Sequence, residues 1–220
     1  PKLTKLSLDI YDIKGYNWAG ELLAEEVKEE RINSEVTLPF TNTQIPQWIY
    51  ERGFTEKTAK NWGWRVSDTG SLVIPAYNRD NLLIGWICRQ PAGRQPRYIY
   101  SKGLNKSLVL FGEHLVTETI DFVCVVEGSL DAIWLWEHGF PAVAINMSEY
   151  QEQAIRTLLT REIVLCLDND ETGMKAKEKM QPQLEKYGVV SFINLGRHKD
   201  VQDVRDESEL QVIIENRRMF

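Results

Sequence analysis

Acidic residues stand where two apolar runs of this chain stop. The run 122–126 ends at Glu127 and Gly128, with Asp131 one helical turn further on. The run 163–167 ends at Asp168, Asn169 and Asp170, followed by Gly173. Short apolar runs that stop at acidic residues and a glycine before a helical pattern read as buried strands. In an open α/β sheet the ligand crevice lies at the carboxyl ends of the strands, so Glu127, Asp168 and Asp170 are expected to converge there. Carboxylates about 4 Å apart repel by roughly 4 kcal/mol at an effective dielectric near 20. Protonation or a hard cation relieves that repulsion, and a magnesium site is the economical explanation.

The elements that must position these residues are legible as alternating patterns. Strands are expected over 122–126, 142–145, 163–167 and 189–195, with helices ending near 138, 159 and 187. That alternation predicts a compact α/β unit whose four-stranded sheet is largely parallel and flanked by helices. Upstream, 71–77 and 82–90 read as an antiparallel hairpin around Asn78, Arg79, Asp80 and Asn81. Two short helices precede it, with Pro46 in the first turn of one, Gly53 as its stop and Thr55 as the N-cap of the next. This gives a smaller mixed α+β subdomain. Expected boundaries are an acidic helical segment over 1–36, a basic subdomain over 37–115, the α/β unit over 116–207 and a helical tail over 208–220. The first segment pairs Glu21, Glu25, Glu26, Glu29 and Glu30 with Leu22, Leu23 and Val27 in an amphipathic pattern, a candidate docking element.

Net charge is −6, which alone would argue against a nucleic-acid partner. The distribution reverses that: Arg52 to Gly112 holds ten basic residues and three acidic, whereas Glu113 to Phe220 holds eleven basic and twenty acidic. A basic lobe beside an acidic one suits a protein that holds phosphates with cations and metals with carboxylates. Cys88, Cys124 and Cys166 are widely spaced within apolar strands and read as reduced core thiols rather than zinc ligands or disulfide partners. No apolar run approaches membrane-spanning length and no secretory leader pattern is present, so a cytoplasmic location and no membrane partner are expected.

The pairing of E-G-x-x-D at 127–131 with D-x-D-x-x-G at 168–173 resembles the Toprim domain of bacterial primases, topoisomerases, nucleases of the OLD type and recombination mediators. The resemblance implies that Glu127 is the catalytic glutamate and that Asp168 and Asp170 are the catalytic, metal-binding pair, with Glu127 acting as ligand or as acid/base. Asp200, after the apolar run 189–195, is similar to the third metal-binding acid, and Asp131 and Asp203 to supporting acids. Val201 stands where the family has a proline. Residues 145–148 lack the glycine-containing turn usual after that strand.

Upstream segments resemble the catalytic core of DnaG-type DNA primases: Arg89 at the hairpin end, Pro96-Arg97-Tyr98, the basic stretch Lys102 to Ser107, and Leu110-Phe111-Gly112. From Lys106 to His114 the likeness is to the primase part of phage primase-helicases. Matching segments cover roughly residues 37–203. The resemblance implies metal-dependent, template-directed synthesis of short RNA primers. It further implies a magnesium or manganese cofactor, ribonucleoside triphosphates and single-stranded DNA as partners, and a replicative helicase or separate template-recognition module. Arg89, Arg97, Lys102 and Lys106 would hold nucleotide or template phosphate. A metal-dependent nuclease and a non-catalytic replisome adaptor remain alternatives.

Plain structural roles compete at several positions. Asp200 alone reads as a helix N-cap, Arg94 as a surface arginine, and His114 and His198 as structural, since nothing pairs them with a nucleophile. Trp62, Trp64 and Trp86 read as packing residues before base-stacking ones. The sequence holds no G-x-x-x-x-G-K-[ST] motor signature and no Cys/His quartet, so neither a helicase motor nor zinc is expected within these residues. An excised core and a naturally minimal protein are both open.

Overall fold

The computed structural model describes residues 36–104, 109–146, 158, 161–186 and 188–219. The acidic helix expected near the amino terminus, Lys106, and the helix expected to end near residue 159 lie outside them. The first elements are short helices α1 (Gln47–Glu51) and α2 (Glu56–Asn61). Thr55 caps α2 as its spacing predicts, accepting the Thr58 N–H at 3.2 Å.

Strands β1 (Arg65–Val66), β2 (Leu72–Tyr77), β3 (Leu83–Arg89) and β4 (Tyr98–Tyr100) form an antiparallel sheet in that order. At the β2–β3 tip, Asn78 Oδ1 accepts the N–H groups of Asp80 and Leu82 at 3.1 and 2.9 Å. Asn81 takes φ +60°, which an asparagine tolerates better than most residues. Register places Arg89 opposite both Leu72 and Tyr98, at the end of the sheet nearest the acidic residues.

The second sheet runs β6 (Ala142–Ala144), β5 (Phe122–Val126), β7 (Glu162–Leu165), β8 (Val190–Phe192) and β9 (Arg218–Met219). The first four are parallel, as expected, and β9 is antiparallel to β8. Helices α3 (Ser129–Glu137), α4 (Glu171–Leu184) and α5 (Glu207–Glu215) flank it. The edge strand β9 was not legible, because two residues leave no alternation to read. It is held by Arg217, whose Nε and Nη2 fork onto the Glu162 carboxylate at 2.8 Å each. That guanidinium, with the Ser191 hydroxyl, keeps the Glu162 carboxyl below its ordinary range.

Strand β5 is buried on both faces, which explains an apolar run without polar alternation. Cys124 and Val126 pack in one cluster with α3 and the residues of α1, α2 and β2, while Val123 and Val125 pack in the other with Met180 and Leu184 of α4. One core therefore spans both sheets. Phe111 and Ala144 add a backbone bridge, exchanging N–H···O bonds of 3.0 and 2.9 Å. Beside it, Gly112 takes φ +88°, and a Cβ there would sit 2.9 Å from the Ala142 carbonyl oxygen. That close approach explains the Leu110-Phe111-Gly112 motif. All three cysteines are free and buried. Among the described residues no helix is long and apolar enough to cross a membrane.

Candidate active site at the carboxyl edge of the parallel sheet

Glu127 follows β5, and its Oε1 accepts the Asp168 N–H at 3.2 Å, which ties the ends of β5 and β7 together. Gly128 is the N-cap of α3, and a Cβ there would lie 2.6 Å from Asp131 Oδ2. Glycine at this position lets the Asp131 carboxylate fold back over the start of its own helix. The same corner is held from β6: Asn146 donates its N–H to the Glu127 carbonyl at 2.9 Å, and its Oδ1 accepts the Ser129 N–H at 3.1 Å. Asn146 has φ +48°, so it takes the left-handed conformation that a glycine turn would supply and adds a side-chain acceptor.

The second acidic pair sits on backbone geometry. Asp170 is the N-cap of α4, its Oδ1 accepting the Thr172 and Gly173 N–H groups at 2.9 and 3.0 Å. A Cβ on Gly173 would lie 2.0 Å from the Asp168 carbonyl oxygen, so only glycine lets the helix start this close to the Asp168 backbone. Between the aspartates, Asn169 reaches the third acidic loop. Its N–H donates to the Lys199 carbonyl at 2.6 Å, and its Nδ2 donates to the carbonyls of Gly196 and His198 at 3.0 and 3.1 Å.

In that loop Asp200 is indeed an N-cap, accepting the Asp203 N–H at 2.8 Å and starting the 3-10 turn Val201–Asp203. Val201 at the first position of the turn is 1% exposed and packs in the core. Asp203 Oδ2 accepts the Lys199 N–H at 3.2 Å and lies 3.8 Å from His198 Nδ1. His198 is structural: its Nε2 meets Glu209 Oε1 of α5 at 3.0 Å.

Charge couples these acids. Burial raises the Glu127 carboxyl above its ordinary range, and Asp168 and Asp170 add to it, against the Asp168 N–H and Lys199. Burial, then Asp200 and Asp170, raise Asp168, opposed by Lys199 and Arg97. Asp131 is pushed up to about 7 by burial, then by Asp200 and Asp168, with Arg52 and Arg97 opposing. Among the described residues no three Asp, Glu, His or Cys side chains close on one point as a ready-made metal cage. The donor set still fits a hard cation, because it is anionic, all-oxygen and mutually repulsive. Glu127, Asp170 and Asp200 each spend one named oxygen on a backbone N–H and retain the other. Magnesium needs only one or two carboxylates and keeps several waters.

The basic residues divide. Arg89 is 7% exposed, donates from Nη1 to the Arg97 carbonyl at 3.3 Å and stacks 4.8 Å from the Tyr98 ring centroid. Arg97 and Lys102 are exposed, and Arg97 is close enough to bear on Asp131 and Asp168. Arg94 donates to the Thr69 carbonyl at 3.0 Å. Trp64 is core, and Trp62 stacks on Phe111 with centroids 5.7 Å apart. A cleft of about 270 Å³ opens beside Asp168, between Asn169, Met174, Lys177, Phe192 and Asn194. Sequence reasoning missed Asn169, Asn146, Arg52 and Gln202. The first stands inside the D-x-D motif, and the others act through contacts remote in the chain.

Comparison with known proteins agrees with this geometry. Residues 124–205 match the Toprim-like family. A DNA primase of Thermotoga maritima is 27% identical over 164 residues, covering 69% of this chain and 29% of that protein. The chain thus spans less than a third of that relative. The Aquifex aeolicus primase, in a structure of its zinc-binding and RNA polymerase domains, superposes with a TM-score of 0.67 at 21% identity, covering 79% of this chain and 56% of that one. The primase fragment of the bacteriophage T7 primase-helicase gives 0.62 at 20%, covering 83% and 82%. Residues 124–205 are a Toprim-like domain, and the chain has DNA primases among its homologues.

Proposed function

We propose that this chain, with its Toprim-like domain and primase homologues, is the catalytic core of a DNA primase that joins ribonucleotides on a single-stranded DNA template. The observation that carries the reading is the meeting of two lobes of opposite charge. Asp131 and Asp168, at the carboxyl edge of the parallel sheet, share a field with Arg97 of the antiparallel lobe. A nuclease built on the same carboxylates needs no such lobe.

Asp168 and Asp170, with Asp200 as third acid and Glu127 beside them, would hold magnesium or manganese. As the 3′-hydroxyl attacks the α-phosphate and the α–β bond breaks to release pyrophosphate, a bound ion would stabilise the developing charge and make the hydroxyl more acidic. Glu127 spends Oε1 on the Asp168 N–H, which leaves Oε2 to take up the hydroxyl proton, and its raised proton affinity favours that transfer. Asp131 and Asp203 support the acidic loops. Arg97, exposed and within electrostatic reach of Asp131 and Asp168, would hold triphosphate or template phosphate. Lys102, also exposed, and Lys106 belong to the same proposed set. Arg89, buried under Tyr98, fixes the strand end that presents Arg97.

Template selection and delivery belong to a helicase or a separate recognition module, whose tethering raises the effective template concentration without adding a catalytic group. The test is incubation of the chain with single-stranded DNA, labelled ribonucleotides and Mg²⁺ or Mn²⁺. Short RNA is expected, and degraded template would favour a nuclease.

A further inference from the structure

Arg52 is absent from the carboxylate set and lies at the carboxyl end of α1, 150 residues before Gln202. In space the two side chains meet: Arg52 Nη2 donates to Gln202 Oε1. Gln202 is the middle residue of the turn Val201–Asp203 that Asp200 caps, and it is 2% exposed. A second tie runs through the backbone, where Arg205 Nη1 donates to the Arg52 carbonyl at 2.5 Å. Gly53 makes room for it: a Cβ there would lie 2.4 Å from Arg205 Nη1 and 2.9 Å from the Trp134 ring. The α1–α2 corner is therefore fitted onto the loop that carries Asp200 and Asp203.

We propose that Arg52 is a positioning residue for the third acidic element, holding the Asp200 turn against the other carboxylates through Gln202. Three observations favour this over simple adhesion between the lobes. Arg52 Nε and Gln202 Nε2 are buried without a hydrogen-bond partner among the described residues. An apolar pair would join the surfaces without that cost. Asn169 bonds to residues 196, 198 and 199, ahead of the 3-10 turn, while Val201 anchors the turn in the core and Arg52 meets its middle residue. Its charge also bears on Asp131, so one guanidinium faces both the turn and the acid of α3.

The inference rests on the metal-dependent reading above, and the test separates the two. Mn²⁺ affinity would be measured by electron paramagnetic resonance on the full chain for Arg52→Ala, Gln202→Ala and the double variant. Amide exchange at Val201 to Asp203 would be followed without metal. Residues that orient ligands from behind cost about tenfold or more in metal affinity when removed. Each single variant should weaken Mn²⁺ binding by about that factor, and the double variant should be no weaker than either, because the two side chains act as one unit. The Asp203 amide, which donates to Asp200, should exchange faster in all three. Arg52→Lys keeps the charge but loses the planar fork, and is expected to recover only part of the affinity. If Arg52→Ala does not fold, Arg52→Lys is judged by the same two readouts. Wild-type affinity with unchanged exchange, or losses that add, would overturn the proposal. No Mn²⁺ binding by the wild-type chain would overturn the metal reading instead, and the exchange arm would still decide whether Arg52 holds the turn.

Discussion

The acidic edge and the basic lobe are built by different means. At the acidic edge Glu127, Asp170 and Asp200 each accept a backbone N–H, so their placement follows from the local course of the chain. Gly173 is required there by the 2.0 Å contact a Cβ would make with the Asp168 carbonyl oxygen, and a Cβ at Gly128 would displace the Asp131 carboxylate, 2.6 Å away. In the basic lobe Arg89 and Arg94 donate to carbonyls 8 and 25 residues away, and Arg97 and Lys102 are exposed. Carboxylates held by caps and tight turns are pre-organised for a small ion. Cations on strand ends and loops can follow a flexible polyanion.

The strongest way to break this contrast is to neutralise the acids without disturbing their caps. Asparagine caps a helix as well as aspartate does. Asp170→Asn and Asp168→Asn should therefore cut primer synthesis by at least about a hundredfold. Thermal stability in chelator should be equal to wild type or higher, because repulsion is removed. Melting curves beside synthesis assays check both halves, and a variant that loses activity only by unfolding would contradict the separation.

Gly173→Ala attacks the backbone instead. With the Asp168 carbonyl in the way, α4 must shift, at about 1–3 kcal/mol of stability. Synthesis should fall with it, as denaturant titration and activity measured together would reveal.

In the basic lobe the effects should be smaller and salt-dependent. Arg97→Ala is expected to weaken template binding and to reduce the salt slope by about one, with melting temperature unchanged. Arg89→Ala should instead lower the melting temperature, since it removes a buried side chain from the Tyr98 ring and the Arg97 carbonyl. Equal behaviour of the two would erase the distinction drawn between them.

A further effect concerns pH. Asp131 is raised from 3.8 to about 7, so the folded chain holds a proton that the unfolded chain releases across that window. Stability from this group is complete below about pH 4, falls as pH rises to about 7 and is flat above. Asp131→Asn should therefore be the more stable protein in chelator at pH 8, by on the order of 2 kcal/mol once solvent screening is allowed for, and the gap should close toward pH 4. A gap independent of pH would show that Asp131 is not the group responsible.

This difference in construction also decides what the sequence made legible. Strand ends, N-caps and glycines are local, so the hairpin, the parallel strands and the placement of Glu127, Asp168 and Asp170 just past strand ends followed from spacing. Asp200 was readable both as a cap and as a site acid, and the structure shows the cap, with Oδ1 accepting the Asp203 N–H. Arg52 and Gln202 were invisible because their meeting depends on how α1 packs against a turn 150 residues later. Strand β9 was invisible because two residues carry no period. Asn146 was read only as a missing glycine, although asparagine also tolerates the left-handed backbone that the corner needs.

On the proposed reading, this acidic edge, served by this basic lobe, makes RNA on a DNA template. The most direct test pairs the wild-type chain with Asp168→Asn on one single-stranded template, with labelled ribonucleotides and Mg²⁺, and resolves the products by length. Short RNA from the wild type and none from the variant is the expected result. Template cleavage that depends on Asp168, or RNA yields equal in the two proteins, would contradict it.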